Sequence, residues 1–298
     1  MKLGGVEIDD TFAEAFGMTA TRLLITADDA RWARQAAESM TGFATSVIGC
    51  GVEAGIERAL AEGETPDGRP GIAVLLFAVS QDALAKAVRD RVGQCVLTCP
   101  GTACFAGVAG EKRVPLGRAL RYFGDGRQAA KRIGGRRYWR IPVMDGEFLC
   151  EDEAPVQEGV GGGNLLLLGR SRPVVLAAAE RAIAAMRQVR EAIMPFPGGI
   201  VRSGSKIGAR YKFLIASTND AYCPTLKGVT DSALDVAIDA VLEIVIDGLT
   251  AAAVGRAMAV GIRAACAEGA ASGLARVSAG NYGGKLGAFK FHLRELLQ

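Results

Sequence analysis

Ten residues, Ala216-Ser217-Thr218-Asn219-Asp220-Ala221-Tyr222-Cys223-Pro224-Thr225, gather hydroxyl, amide and phenol groups between apolar stretches of a 298-residue chain. Asn219 and Asp220 favour turns through side-chain to backbone hydrogen bonds. Pro224 turns Cys223 away from helical geometry, so the run reads as an ordered loop. Such a loop suits a polar ligand wall, and it equally suits a long surface turn whose polar groups meet water. Further along, Val241-Leu242-Glu243-Ile244-Val245-Ile246 sets one carboxylate in an apolar run. An alternating strand directs Val241, Glu243 and Val245 to one face, where partial desolvation raises a carboxyl pKa towards the range useful at neutral pH. The plain alternative is an exposed or salt-bridged glutamate.

Other catalytic chemistries have little to build with. His292 is the only histidine, in the alternating run Phe289-Lys290-Phe291-His292-Leu293, and a structural role on a strand face suits it better than a Ser-His-Asp site or a multi-histidine metal centre. Seven cysteines without a C-x-x-C pair argue against a disulfide framework or a cysteine-rich zinc site. They read as reduced thiols, mostly core filler, and Cys223 has no histidine nearby in sequence to activate it. Gly159-Val160-Gly161-Gly162-Gly163-Asn164 precedes a strand where a dinucleotide loop would follow one. Neither Ser203-Gly204-Ser205-Lys206 nor Gly283-Gly284-Lys285-Leu286 has phosphate-loop spacing. The expectation is therefore no metal and no nucleotide.

The elements that must position these groups read as α+β, in two lobes related by a pseudo-repeat. The first half reads strand (21–27), helix (28–40), strand (43–50), strand (72–79), helix (81–93) and strand (94–98), a split β-α-β-β-α-β unit. Ser80 stands at an N-cap, and Leu84, Val88 and Val92 form a helical stripe. The second half repeats the plan with a strand near 163–169, a helix over 173–190, strands near 198–203 and 240–247, and a helix over 251–267. Thr250 caps as Ser80 does, and Val254, Met258 and Ile262 repeat the stripe at a constant offset of 170 residues. The acidic, proline-ended run Glu151-Asp152-Glu153-Ala154-Pro155 marks the boundary, giving lobes 1–150 and 151–298, both read as ferredoxin-like α/β sandwiches.

The net charge of +3 conceals an uneven distribution. Lys112 to Arg140 carries +9 and the rest of the chain −6. Without a recognised reader motif this segment does not point to nucleic acid, and a solvated face or subunit contact is the plain alternative. Apolar runs such as 165–168 fall far short of the ~20 residues that span a bilayer. The amino terminus lacks the apolar core of a signal peptide, so the expectation is a cytoplasmic protein without a membrane partner.

Motifs along the whole chain carry a resemblance. Asp10-Thr11-Phe12-Ala13-Glu14-Ala15-Phe16, Gly42-Phe43-Ala44-Thr45-Ser46-Val47-Ile48, Glu64-Thr65-Pro66-Asp67-Gly68-Arg69-Pro70-Gly71, Arg91-Val92-Gly93-Gln94-Cys95-Val96 and Phe123-Gly124-Asp125-Gly126 lie in the first half. Pro195-Phe196-Pro197-Gly198-Gly199-Ile200-Val201 and Ser278-Ala279-Gly280-Asn281-Tyr282-Gly283-Gly284-Lys285-Leu286-Gly287 flank the polar loop in the second. In order and spacing these resemble the formylmethanofuran:tetrahydromethanopterin formyltransferases. The resemblance implies movement of a formyl group between a methanofuran-type amine and N5 of tetrahydromethanopterin, both as substrates, by acyl transfer through a tetrahedral intermediate.

It further implies that Glu243, in the matching Glu-Ile-Val-Ile strand before Gly248, is catalytic. In that setting Asn219, Ser217, Thr218 and Tyr222 orient the formamide or polarise its oxygen, and Asn219 is taken with Glu243 as catalytic. Phe196, Pro197, Gly198 and Gly199 read as a wall for a flat ring or as a plain turn. Gly280 and Asn281 read as a place where backbone approaches substrate. Arg132, Arg136 and Arg137 would hold the polyglutamate tail of the furan coenzyme. The partners implied are further copies in a homotetramer, and hydrolase- or dehydrogenase-like subunits, since bacterial relatives work within a formyltransferase/hydrolase complex. The basic composition fits the bacterial setting. A non-catalytic scaffold recruiting partners through the basic segment is the rival reading, and the two differ in whether Glu243 is needed.

Overall fold

The computed structural model describes residues 1–204 and 206–298, so Ser205 of the Ser203–Lys206 run lies outside the described residues. The chain is mixed α/β and divides into two compact units, residues 18–159 and residues 1–17 with 160–298. The division therefore differs from a cut at 150/151. The first 17 residues pack with the second half of the chain, and residues 151–159 with the first.

In the unit of residues 18–159, a four-stranded antiparallel core runs in the spatial order Glu53–Leu60, Gly71–Ala78, Phe12–Thr26 (from Met18 onward), Ala103–Ala106. Gly146–Glu151 adds in parallel to Ala103–Ala106, and the strands Arg136–Val143 and Ala129–Ile133 extend the sheet beyond it. The helices Ala30–Thr41 and Gln81–Arg91 supply the connections. Ser80 caps the second of these through its hydroxyl and the Ala83 N–H, and Leu84, Val88 and Val92 are fully buried, as the stripe predicts.

Two predicted strands are corrected. Residues 43–50 form a turn and the short helix Val47–Cys50, because Ser46 caps it and Gly51 closes it at φ 76°; the strand follows at Glu53–Leu60. Residues 94–98 prolong the preceding helix through the widened turn Val92–Val96, since Val92 and Val96 are buried together at helical spacing, and the strand falls at Ala103–Ala106.

In the unit of residues 1–17 and 160–298, the spatial order is Ala192–Ile193, Ala240–Gly248, Gln157–Gly169 (from Val160 onward), Leu274–Ser278, Val6–Ile8, Lys2–Leu3. The helices Arg172–Met186 and Ala251–Ala265 connect the first four, and Thr250 caps the latter through the Ala253 N–H. They pack so closely that a Cβ at Gly261 would run into Met186. The strand read near 198–203 is a further correction. Gly198 and Gly199 adopt φ 65° and φ 88°, which breaks a strand, and Ala192–Ile193 takes the edge position instead. Each unit thus uses the order second, third, first, fourth for its β-α-β-β-α-β strands.

The segment 202–239 leaves this framework between Ala192–Ile193 and Ala240–Gly248. It holds the pair Lys206–Ile207 with Ala216–Ser217 and two single helical turns, Asp220–Tyr222 and Pro224–Leu226. The tail strand Phe289–His292 pairs with residues 12–15, with His292 exposed and its ring 5.1 Å from that of Phe12. Among the described residues no helix is long and apolar enough to cross a membrane.

Candidate active site

Glu243 lies mid-strand, opposite Leu166 on one side and bridged on the other to Val201 by two backbone hydrogen bonds of 2.9 and 2.7 Å. The alternating run that places it also buries it, with 5% of its surface exposed. Burial pushes its carboxyl up to about 7, against the opposing pull of one donor, the Asn164 side chain. Asn164 Nδ2 donates to Glu243 Oε1 at 3.0 Å, and Asn164 Oδ1 accepts the Gly280 N–H at 2.9 Å.

Gly280 opens the turn 280–287, which is built around a second carboxylate. Glu14, 1% exposed, accepts the Tyr282 and Gly284 N–H groups on Oε2 at 2.7 and 2.9 Å, and those of Leu286 and Gly287 on Oε1, both at 2.6 Å. Burial is the largest single influence on Glu14 and raises its pKa, but the four N–H donors together outweigh it and hold the carboxyl down at about 2. The turn therefore wraps a permanent anion. Tyr282 leaves it half-buried with its ring 6.1 Å from Phe16; burial, then the nearby Glu243 and Glu14 charges, raise its phenol pKa, so it stays a donor.

Glu243, Asn164, Gly280, Asn281 and Tyr282 line one cavity of about 580 Å³, together with Asp9, Asp10, Thr11, Lys206, Asn219 and Tyr222. The polar loop thus reaches the buried carboxyl, with Asn219 and Tyr222 on the wall. Asp220 anchors the loop by an ion pair to Lys206 at 2.6 Å. Asn281 faces the same space, but its amide is engaged by Thr11, Phe12 and the Gly283 N–H. The Asn219 amide and the Tyr222 and Tyr282 hydroxyls make no hydrogen bond among the described residues, which leaves three neutral donors for a ligand.

Other expected site residues fall outside this lining. Ser217 donates to the Gly208 carbonyl and Thr218 to the Ser203 carbonyl, both at the base of the loop. Phe196, Pro197, Gly198 and Gly199 form a tight turn whose last residue packs on Ile183 and Met194. Cys223 lines a small recess beside Glu243 and bonds to the Asn219 carbonyl through Sγ at 3.4 Å. Asn164, Glu14 and Tyr282 received no role from the sequence. Glu14 sits in an alternating strand and Asn164 ends a glycine run, and nothing local reveals that residues about 270 positions from the first, and 79 and 116 positions from the second, complete them.

The basic segment forms a separate feature of the unit 18–159. Arg132, Arg136 and Arg137, with Arg113 and Arg118, line a cavity of about 920 Å³ that also holds Glu151, Asp152 and Glu153. Arg118 bridges Asp152 and Glu153, both at 2.9 Å, and Arg136 reaches Glu151 at 3.3 Å. Arg113, Arg132 and Arg137 make no ion pair among the described residues.

A buried carboxyl pushed up to about 7, beside donors with no partner among the described residues, is equipment suited to acid–base chemistry. The sequence profile described as formylmethanofuran-tetrahydromethanopterin formyltransferase matches residues 1–143, and that of its proximal lobe matches residues 146–296. A formylmethanofuran–tetrahydromethanopterin formyltransferase of Methylococcus capsulatus is 62% identical, over 100% of both chains. A chain in the crystal structure of the formyltransferase/hydrolase complex from Methylorubrum extorquens, in complex with methylofuran, superposes with a TM-score of 0.97 at 57% identity, over 100% of this chain and 99% of that one. The Methanosarcina barkeri formyltransferase gives 0.93 at 46% identity, over 100% of both. The chain belongs to the formylmethanofuran–tetrahydromethanopterin formyltransferase family and is a formyltransferase. The family resemblance drawn from its motifs holds over the full chain, and the enzyme reading stands over the scaffold.

Proposed function

We propose that this enzyme moves a formyl group between the amine of a methanofuran-type coenzyme and N5 of tetrahydromethanopterin in one-carbon metabolism, with the Glu243 cavity as its active site. The observation that carries this reading is the Glu243 carboxyl near 7 on the wall of a polar cavity that retains unpartnered donors. In the direction towards the pterin, N5 attacks the formyl carbon and the carbonyl π electrons move onto oxygen. The Asn219 amide polarises that oxygen, and the tetrahedral oxyanion is held by the neutral donors of the cavity wall. Ionised Glu243 takes the N5 proton and returns it to the coenzyme nitrogen as the amide C–N bond breaks, so the carboxylate is regenerated. Tyr222 orients the formamide directly, whereas Ser217 and Thr218 act by shaping the loop. Phe196 to Gly199 form a structural turn off the cavity lining and back the flat ring only where it extends beyond the cavity, and Gly280 and Asn281 carry a wall of the cavity itself.

Both units are read as ferredoxin-like lobes related by a pseudo-repeat, on the support of their shared strand order. Arg132, Arg136 and Arg137 hold the polyglutamate tail of the furan coenzyme, on the support of Arg132 and Arg137 making no ion pair among the described residues and so being open to a polyanion. Neutralising all three is expected to raise KM for a long-tailed coenzyme by a few-fold to ~10²-fold at low salt, each lost charge contact being worth about 1 kcal/mol or less at an exposed site. A tail-less furan amine should be unaffected, and equal KM changes for both would remove the tail from this site. The protein works in the cytoplasm as a homotetramer, and it associates with hydrolase-like subunits; the formyltransferase/hydrolase complex of the bacterial relative supports the latter association.

The direct test is transfer from formylmethanofuran to tetrahydromethanopterin by the purified protein, followed by pterin absorbance. Turnover is expected without added metal or nucleotide. A protein inert towards matched coenzymes in both directions would return the scaffold reading.

A further inference from the structure

Asn164 meets Glu243 and Gly280 at once, and its two ends are not interchangeable. Its Oδ1 accepts the Gly280 N–H at 2.9 Å, and only the opposite end of the amide then faces Glu243. That end is a donor, placed 3.0 Å from Oε1. A Cβ at Gly280 would lie 2.8 Å from the Asn164 amide nitrogen, so the backbone of the turn sits directly against this amide. Glu14 pins the rest of the turn through four N–H groups, and Gly280 is held at the register that fixes the Asn164 amide. Glu243 Oε1 is thereby occupied by a neutral donor, while Oε2 has no protein partner among the described residues.

We infer that Asn164 is a positioning residue for the transfer reaction: it holds Glu243 Oε1, so that Oε2 is the oxygen that takes and returns the substrate proton. This rests on the reading of Glu243 as the proton-handling group. An unheld carboxyl rotates between two equivalent oxygens and presents the syn or anti lone pair in turn. A carboxyl held through one oxygen presents the other in one orientation, and orientation within about 1 Å is worth up to ~10²-fold in rate. Because the donor favours the ionised form, Asn164 also keeps the carboxyl from rising further in its buried setting.

The remaining titratable or charged groups around Glu243 are Asp9, Asp10, Lys206, Tyr222 and Tyr282 on the cavity, Arg202 and Cys223 on the recess, and Glu14 beyond Tyr282. Lys206 is paired with Asp220, and Asp9 and Asp10 with Arg276 and Arg294. None of them bonds to the Glu243 carboxyl, so its local donor is Asn164.

Asn164→Asp separates the two contacts, because the aspartate still accepts from Gly280 but offers no N–H to Glu243; Asn164→Ala removes both. The readouts are kcat, KM and the pH dependence of kcat/KM, with thermal unfolding as a check on the fold. For Asn164→Asp we expect kcat to fall roughly 10- to 10²-fold with KM little changed. The inflection near neutrality should move upward by about one pH unit or more, since a donor is lost and a like charge gained. Asn164→Ala should move it upward by less and raise KM as the turn loosens. An unmoved inflection in both variants, or a loss confined to KM, overturns the inference and leaves Asn164 a structural tie. Glu243→Gln, measured alongside, separates the two claims. Near-normal activity in that variant sinks the reading of Glu243 itself, whereas an inactive Glu243→Gln beside an unshifted Asn164→Asp sinks only the role of Asn164.

Discussion

Glu243→Gln is expected to lose ~10²–10⁴-fold in transfer rate while unfolding at a higher temperature than the parent enzyme at pH 8. The rate loss follows because the amide cannot take a proton from N5 or return one to the departing nitrogen. The gain in stability follows from the same burial. The Glu243 carboxyl titrates near 7 in the folded enzyme against an ordinary 4.5, so the folded state holds the proton more tightly. That contribution is complete below about 4.5 and is lost as pH rises through 7, above which the folded protein carries an ionised group in a nearly dry site. The raised pKa corresponds to a burden on the order of 3 kcal/mol at pH 8, which a neutral glutamine removes while its carbonyl still accepts from Asn164. The stability difference between variant and parent should shrink as the pH is lowered towards 5. Calorimetry at pH 5 and 8, with single-turnover transfer assays, checks both halves. In the parent enzyme kcat/KM should inflect near pH 7. A glutamine variant with normal turnover would move proton handling elsewhere, and one with unchanged stability at pH 8 would mean the carboxylate is better solvated than its 5% exposure implies.

The second large effect concerns Glu14. Its carboxylate accepts four N–H groups from residues 282–287, and glutamine offers one acceptor oxygen plus an amide that points two donors at donors. Glu14→Gln should therefore release the turn, with faster hydrogen exchange over 280–287 and a fall in transfer rate of ~10²-fold or more through misplacement of the Tyr282 and Asn164 neighbourhood. Acid gives the complementary view. The folded pKa of about 2 lies below the ordinary value, so the stabilisation is present above about 4.5 and is lost as pH falls through 2. Hydrogen exchange across the turn should accordingly stay slow at pH 4 in the parent enzyme. Rapid exchange there, or a glutamine variant with an ordered turn and full activity, would show that the backbone holds this shape without the carboxylate.

Much of the site was legible because its parts are local. The alternation around Glu243 gave both its strand and its desolvation, and the side chains of Asn219 and Asp220 with Pro224 gave the loop that lines the cavity. Ser80 and Thr250 located helix starts because capping depends on a few adjacent residues. Failures came where a local pattern had two solutions. The apolar content of residues 43–50 and 94–98 was compatible with strands, and the outcome was decided by the Ser46 cap, the Gly51 conformation and the pairing of Val92 with Val96 in the core. At 198–203 two consecutive glycines with positive φ outweighed the apolar residues around them. The roles of Glu14 and Asn164 were hidden for a different reason, since their partners are supplied by a turn far away in the chain, and ordinary-looking residues acquire meaning only after folding.

That separation orders events during biosynthesis. Glu14 is made some 270 residues before the turn it organises. At ~5–20 residues per second the carboxylate waits roughly 15–55 s for its partners. The polar cleft is consequently a late product of translation. A chain arrested between residues 243 and 280 has the loop and Glu243 but lacks the opposing wall, so its cleft is incomplete.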